Sequence, residues 1–431
     1  MTTLLERAKG SALDITTKSN PPLGVITLLS PYARQIRHLS FPHNCLTDIS
    51  TFLQIVSGPL PLLRTLNMCI TNFTNVQYQH NLPTPPSFPL FGSAIDLEEF
   101  VLDLRWNGPL DFFAFPNLTM FKLLAPQIDR LNASDLFDFL RASLTLQTVV
   151  LTINGGLIPG SVPHDMVVVL PNVLSLSVRS NTGDTCELAV HISCPRAKYT
   201  SLTGEICDDA MTPGAEVFPD SASWVAITRL YTTSPVEEVT LEMDCYHPKA
   251  LVAYSLTFRS SNATVIELGF QVTYTDEEEL PMSSGMMYRR IFSQACRTIR
   301  GHPLLSHVKR LHLKDGTASF GVGFVVPTAD MVRELLRSLG PLDELTIHGF
   351  DLRIFLAPFI DLPVFRHLER VFPPVKVLTI SETLMFDKRE CEDGIVELTK
   401  SQRELGKPFE RVTAQGREAN ALDVLREVEG I

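Results

Sequence analysis

The sequence lacks most of the features by which catalytic, metal-binding and membrane proteins are recognised. Its eight cysteines are scattered, without a C-x-x-C pair, which predicts reduced thiols in the cytosol or nucleus. No apolar run approaches the roughly 18 residues that a membrane span needs. The N-terminus, MTTLLERAKG, has no apolar core of a signal peptide. We therefore expect a cytoplasmic or nuclear protein that does not bind a membrane.

Basic charge is also scarce. The 431 residues include 37 Lys and Arg against 48 Asp and Glu, which gives a formal net charge of −11. Nonspecific nucleic-acid binding needs a dense basic surface, so this balance argues against a nucleic-acid partner. The chain is nevertheless 45% hydrophobic, which is enough apolar side chain to bury a large core.

The common catalytic motifs are missing as well. The sequence contains no P-loop, no G-x-S-x-G, no H-E-x-x-H and no Rossmann glycine pattern. A glycine-rich run at residues 316–323 follows a predicted strand, where a phosphate loop would lie, but it lacks the Gly-Lys-Ser/Thr ending. A flexible turn is the better interpretation. We expect no enzymatic activity and no cofactor.

The candidate metal ligands have no suitable spacing. His302, His307 and His312 are five residues apart, which places neighbours on opposite faces of a strand and misaligns them on a helix. His312 alternates with two leucines, so it should lie on an exposed sheet face. The acidic runs at residues 208–209 and 276–279 lack EF-hand spacing and are predicted to be solvated loops. No metal site is expected.

What the sequence does contain is a short recurring unit. In residues 61–68, PLLRTLNM, apolar side chains fall at relative positions 1, 4 and 6, which are Leu63, Leu66 and Met68. The same spacing returns every 21 to 45 residues or so, the range of leucine-rich repeats with insertions. The copies begin at Ile36, Leu63, Leu97, Leu118, Leu146, Val173, Ala197, Val236, Ala263, Val308, Leu342 and Val375.

Helix-compatible stretches lie between these units. Residues 134–143 have a Ser N-cap and an apolar face, and residues 328–339 begin with a Thr cap. One short strand per period, alternating with a helix or loop, predicts an α/β fold. The expected architecture is an irregular leucine-rich-repeat solenoid, or horseshoe, with a parallel β-sheet on its concave face and helices and loops on its convex face.

The predicted solenoid covers residues 1–385. Surface excursions are expected at 204–223 and 275–284; we expect a continuous horseshoe across them, and a pause there would give two shorter blocks. From residue 386 onward the charge density about doubles. Residues 391–405 predict a helix, 409–412 a strand and 419–428 a last helix. This charged C-terminal unit, 386–431, is expected to cap the solenoid.

Several stretches of the chain share a recognisable pattern with one protein family. They are LLERAKGSALDI at the N-terminus, LPLLRTLNM at 60–68, ASLTLQTVVLTI at 142–153, FPDSASWVAITRLY at 218–231, PVEEVTLEM at 235–243 and IVELTKSQRELGKPFERVT at 395–413. Together they resemble the leucine-rich-repeat region of the large F-box protein families of mushroom-forming fungi. The resemblance covers nearly the whole chain.

Two departures from that family are visible. The F-box itself, which opens on a Leu-Pro-x-Glu-Ile-type motif, is missing, so the chain is expected to start downstream of it. The asparagine of a regular leucine-rich repeat, at relative position 9, is present as Asn44, Asn154 and Asn181 and absent from most other copies. Irregular loops after the strands are therefore predicted.

The resemblance implies a non-enzymatic protein–protein interaction module, the substrate-recognition part of an F-box protein of a cullin ubiquitin ligase. The adaptor of that ligase is an implied partner only if an F-box exists upstream. The alternative is a stand-alone leucine-rich-repeat scaffold or sensor unconnected with ubiquitin. An in-frame Leu-Pro-x-Glu-Ile-type segment upstream of Met1 would favour the first.

A binding surface follows from the predicted fold. If positions 1, 4 and 6 enter the core, positions 3, 5 and 7 project from the concave sheet face, which is expected to bind the protein partner. The candidate binding residues are Glu99, Lys122, Arg179, Tyr199, Glu238, Glu242, Glu267, Arg310, His312 and Lys314. Opposite charges on neighbouring strands either pair with one another or form a pattern that a partner recognises, and both interpretations stay open.

Overall fold

A computed structural model describes most of the predicted strands. The described residues are 10–16, 28–41, 60–71, 88–89, 96–105, 110–111, 115–125, 131–153, 157–158, 166–207, 234–246, 251–273, 307–316, 335–336, 340–350, 355–356, 372–381 and 388–415. Several predicted features lie wholly or mostly outside them: Asn44, Asn154, His302, the runs at 208–209, 276–279 and 316–323, the excursions at 204–223 and 275–284, and the helices at 328–339 and 419–428.

The protein is α/β, with a large and mainly parallel sheet of fifteen strands and few helices among the described residues. The α/β class is therefore confirmed, and the finer assignment to a leucine-rich-repeat horseshoe stays a prediction. The chain divides into two compact units, Met1–Gly204 and Glu205–Ile431. The predicted boundary between a solenoid and a cap at residue 386 also stays a prediction.

Parallel strands build the first unit. Their hydrogen-bonded order is β1 (Leu13–Thr16), β2 (Ile36–Phe41), β3 (Thr65–Thr71), β5 (Glu99–Arg105), β7 (Met120–Ala125), β8 (Thr148–Ile153), β10 (Ser175–Asn181) and β12 (Tyr199–Cys207). Two small sheets pair β4 (Phe88–Pro89) with β6 (Leu110–Asp111), and β9 (Val168–Val169) with β11 (Ile192–Ser193). Among the described residues of this unit, a 3₁₀ helix spans Ser30–Gln35, and two α-helices follow, α1 (Ala133–Ala142) and α2 (Thr182–His191).

The 1-4-6 spacing places its apolar side chains in the core. Leu63, Leu66 and Met68 are fully buried, and Thr65 and Asn67 between them are partly exposed. Alternation has this effect because successive side chains of a strand point to opposite faces of the sheet. The copy at Ala197 is weaker because its position 4 is Thr200, whose buried hydroxyl has no hydrogen-bond partner among the described residues.

From β3 to β12, each strand of the first unit is joined to the next by the same pair of hydrogen bonds where the next strand begins. The carbonyl oxygen of Arg64 accepts from the backbone N–H groups of Glu98 and Glu99, at 2.8 and 2.9 Å. The carbonyl of Glu98 does the same for Thr119 and Met120, at 2.8 and 3.1 Å. The pattern continues to β12 and holds neighbouring strands in one register, so residues at the same relative position form rows across the sheet.

Helix α1 packs on this sheet. The predicted helix at 134–143 is present, but its N-cap is Asn132, whose side chain accepts from the backbone N–H of Ser134 at 3.1 Å. Its apolar face includes Phe139, which lies 4.7 Å from the ring of Phe121 on β7. At the next helix, Asn181 fills relative position 9 and caps α2 by accepting from Asp184 N–H at 2.9 Å.

Cys194 illustrates how a thiol is used in this fold. Cys194 lies just before Pro195, at a place that an apolar residue fills in most copies, and it is fully buried. Burial raises the pKa of the Cys194 thiol to about 12, because the thiolate would lose its hydration. This cysteine is therefore an inert part of the core.

The second unit contains the one departure from parallel pairing among the registers described. Its order is β15 (Val265–Thr273), β14 (Leu251–Ser260), β13 (Val236–Tyr246), β16 (Arg310–Asp315), β17 (Leu342–His348), β18 (Val375–Ser381) and β19 (Arg411–Gln415). β14 is antiparallel to both β13 and β15, whereas β13, β16, β17, β18 and β19 run parallel.

This antiparallel strand corrects the predicted copy at Ala263. Ile266 and Leu268 are buried as expected, but Ala263 is exposed and has a φ of 64°. It belongs to the tight turn between β14 and β15, in which Ser260 N–H donates to the Thr264 carbonyl at 3.0 Å. The apparent first position of that copy is thus a turn residue and contributes nothing to the core.

The charged end of the chain contains the predicted helix and strand. The helix predicted at 391–405 is α3, Lys388–Glu404, and the predicted strand at 409–412 is β19, which begins two residues later than expected. Ile395 and Leu398 are buried on α3, while Lys400 and Glu397 form an exposed ion pair at 2.9 Å. The helix is amphipathic, as its sequence indicates.

Candidate functional site

The ten predicted binding residues all lie on one side of their strands. We call the side chains at relative positions 3, 5 and 7 the open face of the sheet. None of the ten is buried. Their binding role stays a prediction, and the structure adds which of them lie next to one another.

In the first unit the predicted residues are spread out. Glu99 lies between Thr65 of β3 and Met120 of β7, and Lys122 lies between two valines, Val101 and Val150. Arg179 is beside Thr152 of β8, and Tyr199 begins β12 with 39% of its surface exposed. The strand neighbours that these registers give for Glu99, Lys122 and Arg179 are uncharged residues.

In the second unit, predicted binding residues of opposite charge lie next to one another on neighbouring strands. One row of the open face runs Arg259, Glu238, Arg310, Glu344 across β14, β13, β16 and β17, with alternating sign. Glu238 is 3.6 Å from Arg259 and 3.2 Å from Arg310, and its side chain is only 18% exposed. Glu238 is therefore held between two guanidinium groups that come from different strands.

A second charged row lies four residues further along the same strands. Glu242 of β13 pairs with Lys314 of β16 at 3.8 Å, and both side chains are about half exposed, at 51% and 42%. Next to Lys314 in register is His348, whose Nδ1 is 3.1 Å from the hydroxyl of Ser381. The charges do pair, as the first of the two interpretations requires, but an exposed pair of this kind contributes only about 0–1 kcal/mol.

Between the charged rows runs a row of threonines interrupted by one histidine. The row contains Thr257, Thr240, His312, Thr346, Thr379 and Thr413, on β14, β13, β16, β17, β18 and β19. His312 is half-buried on the open face, flanked by Thr240 and Thr346. His312 thus lies on the sheet face, but it is half-buried, whereas the alternation predicted an exposed position.

Glu267 does not join the acidic residues with which the sequence order grouped it. It is on β15, opposite Thr257, and the antiparallel strand β14 separates it from Glu238 and Glu242 on β13. The basic residues of β16 are the direct neighbours of β13 instead. An acidic segment followed by a basic one in sequence has become an alternating pattern in space.

The environment of His312 changes its titration. Burial lowers the pKa of His312 below its usual value, and Lys314 and Arg310 act in the same direction. The carboxylates of Glu238 and Glu344 oppose this and raise the pKa. Because the folded pKa is below the unfolded one, the unfolded chain binds the proton first as the pH falls below about 6.5. His312 therefore lowers stability in that range and has no such effect at neutral pH.

We expect an NMR titration of ¹³C-labelled histidine in the full chain to give His312 a midpoint below about 6.5. Glu238→Gln should lower the midpoint further, because a carboxylate that favours the imidazolium is lost. Glu404→Gln, on the exposed surface of α3, should leave it unchanged and serves as the control. A midpoint above 6.5, or a rise in Glu238→Gln, would contradict this account.

Within the described part of the chain, no group of three His, Cys, Asp or Glu side chains could hold a metal ion. Over the same residues, none of the helices has the length and apolar content to cross a membrane.

A second surface feature was missed by the sequence analysis. A groove of about 550 Å³, which we call the edge groove, runs along the amino ends of β5, β7, β8, β10 and β12 in the first unit. It is lined by Glu98, Asn117, Thr119, Thr145, Gln147, Asn172, Leu174 and Arg196. Each of these residues lies at one of two places in its copy of the repeat, either at relative position 2 or just before position 1.

Side-chain hydrogen bonds connect this lining from strand to strand. Arg196 donates to Asn172 Oδ1 at 3.4 Å, and Asn172 Nδ2 donates to the Leu144 carbonyl at 2.9 Å. Thr145 donates to carbonyl oxygens beside Asn117, those of Pro116 and Leu118, at 2.8 and 2.9 Å. Hydrogen bonds between consecutive copies of the repeat thus hold the groove wall in place.

A sequence signal for the groove exists. In five successive copies the residue just before position 1 is polar: Asp96, Asn117, Thr145, Asn172 and Arg196. Alignment of the copies on their apolar positions displays this column. A leucine-rich-repeat solenoid assigns binding to positions 3, 5 and 7, so the expected fold does not point to this column.

Comparison of the chain with protein-family models, with curated proteins and with solved structures finds no match.

Proposed function

We propose that this protein is a non-enzymatic protein-binding module, and that the open face of its second unit is the surface that captures the partner. The observation that carries the proposal is the alternating row Arg259, Glu238, Arg310, Glu344 together with the Glu242–Lys314 pair. A fixed arrangement of exposed charges on a rigid sheet suits recognition of a complementary protein surface.

Pairing within the face does not prevent binding by it. Exposed ion pairs hold their side chains at small energetic gain, so a partner can replace an internal contact by an intermolecular one at little cost. Charge complementarity of this kind contributes mainly to specificity and to the rate of association. The threonine row between the charged rows adds hydroxyl groups that can donate and accept hydrogen bonds.

The resemblance to fungal F-box proteins supports a more specific form of the proposal. Parallel strands with buried residues at positions 1, 4 and 6 are what a leucine-rich-repeat solenoid requires, and its concave sheet face would then be the open face described above. In that form the module selects substrates for a cullin ubiquitin ligase, in the cytoplasm or nucleus, and uses no cofactor.

The charge pattern is tested by exchanging the members of one pair. In the double variant Glu242→Lys with Lys314→Glu, the ion pair is retained and the pattern on the face is inverted. We expect capture of protein partners from a lysate of the source organism to fall about tenfold, equivalent to about 1.4 kcal/mol, with thermal stability changed by less than about 0.5 kcal/mol.

The matched control exchanges a pair on the same sheet at relative position 2. Asp343 and Lys376 are 2.7 Å apart, and Asp343→Lys with Lys376→Asp should leave capture unchanged. If the Glu242 and Lys314 exchange captures the same proteins at the same level as the wild type, the open face is not the binding surface.

Co-purification of the ubiquitin-ligase adaptor separates the two forms of the proposal. When the chain is expressed with its native upstream sequence, recovery of the adaptor supports the ubiquitin-ligase form. Recovery of partners without the adaptor supports a stand-alone scaffold or sensor.

A further inference from the structure

The edge groove of the first unit has a distribution of charge that the open face does not have. At one end, at β5, the carboxylate of Glu98 lines the groove, and Asp96 lies two residues before it. At the other end, at β12, Arg196 lines the groove, and Lys198 lies two residues after it. Between them the lining consists of amides, hydroxyl groups and one leucine. We propose that this groove is a separate binding site for an extended peptide that carries a carboxylate side chain at the end beside Arg196 and Lys198.

The two ends differ in how far the protein itself neutralises them. At the acidic end, Glu98 is paired with Arg64 at 3.2 Å, and Asp96 accepts from Asn117 Nδ2 at 3.5 Å. At the basic end, the side chain of Arg196 is bonded only to the neutral Asn172 among the described residues. No carboxylate of the described residues pairs with Arg196 or Lys198. An anionic group is therefore favoured at the basic end, and the acidic end adds little selectivity.

The middle of the groove offers hydrogen bonds to a main chain. Gln147 is exposed, and its carboxamide has no hydrogen-bond partner among the described residues. A carboxamide presents a donor and an acceptor side by side, which matches the N–H and C=O of a peptide group. Thr145 and Asn172 on either side are already bonded to backbone carbonyls, so they form a fixed wall around it.

The groove length sets the size of the ligand. Four steps between hydrogen-bonded strands separate β5 from β12, and at about 4.8 Å each they cover about 19 Å. An extended peptide advances about 3.3 Å per residue, so about six residues span the distance. Leu174, 38% exposed, gives one apolar contact within this span.

A neutral oligosaccharide fits the same groove less well. Its hydroxyl groups could satisfy Gln147, but they would leave the cations of Arg196 and Lys198 without a counter-charge. None of the lining residues is aromatic, so no ring is available to cover the apolar face of a sugar. A peptide with an acidic residue supplies both a main chain for Gln147 and a counter-charge for Arg196 and Lys198.

Immobilised hexapeptide mixtures test the proposal directly. The peptides are biotinylated at the amino end and amidated at the carboxyl end, with Ala, Ser, Val and Leu mixed at the other positions and either Glu or Gln at one terminal position. We expect the full chain to bind the Glu mixtures about fivefold more tightly than the Gln mixtures, which is the effect of one exposed charge-assisted contact.

Two variants identify the groups involved. Arg196→Gln with Lys198→Gln should remove the preference for Glu, whereas Arg403→Gln, an exposed cation on α3, should retain it and is the control. Gln147→Ala should weaken both mixtures alike, by about threefold, because it contacts main chain and not the carboxylate. Circular dichroism of each variant establishes that the fold is unchanged.

Several results would overturn the proposal. These are equal affinity for the Glu and Gln mixtures, an undiminished preference in the double variant, or stronger binding of maltohexaose than of any peptide. Absence of binding by all mixtures up to about 1 mM would overturn it as well. The Glu242 and Lys314 exchange on the open face should leave peptide binding unchanged, so this site and the proposed function can fail independently.

Discussion

Replacing Phe121 with alanine is expected to lower the free energy of unfolding by about 3–5 kcal/mol. Phe121 is on β7 and is fully buried. Its ring lies 5.8 Å from that of Phe100 on β5 and 4.7 Å from that of Phe139 on α1. The side chain thus joins a strand, its neighbour and the covering helix, and its removal leaves a cavity where the surrounding rings are held by their own elements.

The next residue along the strand is the matched control. Lys122 points to the open face, is not buried and lies between two valines. Lys122→Ala should change the free energy of unfolding by less than about 0.5 kcal/mol. Urea denaturation followed by far-UV circular dichroism measures both changes. Similar effects for the two variants would mean that the aromatic cluster is not the core of the first unit.

Replacing Gly349 with alanine should cost about 3 kcal/mol, the second large effect. Gly349 follows β17 with a φ of 77°, a conformation that favours glycine. An ideal Cβ at this position would overlap the backbone carbonyl of Asp315 at the end of β16. The residue cannot move away freely, because its N–H donates to the Ser381 carbonyl of β18 at 3.1 Å.

Gly406 allows the two causes of the loss of stability in Gly349→Ala to be separated, namely backbone strain and steric contact. Its φ of 70° is nearly the same, but an added Cβ would meet nothing within 4 Å. Gly406→Ala should therefore cost only the left-handed backbone strain, about 1 kcal/mol. Thermal unfolding of both variants gives the difference, which measures the steric contact with Asp315. Equal costs would show that the strands around Gly349 adjust to the methyl group.

Burial along a strand is predictable from sequence where local alternation decides the outcome. Leu66, Leu176 and Leu345 occupy the same relative position in three copies, and all three are buried. Such positions are predictable because a period of two places them on the inner face of any strand, whatever its neighbours are. The helix of residues 388–404 was predictable for the same kind of reason, with a period near 3.6.

Strand direction was not predictable in this way. β14 alternates as its neighbours do, and an antiparallel strand has the same period as a parallel one. The copy at Ala263 matched the spacing, although that residue belongs to a turn with positive φ. A pattern of apolar positions therefore identified a strand correctly and assigned its first residue to the core wrongly.

The candidate sites also contain features that the sequence predicts and features that depend on which strands are neighbours. The open-face residues were predicted because they alternate with core residues. The contact between Glu238 and Arg310, 72 residues apart in sequence, depends on β13 and β16 being neighbours. The edge groove depends on five strands being in one register, so that residues such as Glu98 and Arg196 become opposite ends of one surface.

The amino-acid sequence by itself determined which side chains are buried and which are exposed along each strand, because burial follows from alternation and from the transfer of apolar groups out of water. Only the tertiary structure decided which strands are adjacent and in which direction they run. Those choices are made by hydrogen bonds and packing between segments far apart in the chain. They turned an acidic segment and a basic segment into an alternating charged face, and they assembled the groove from single polar residues.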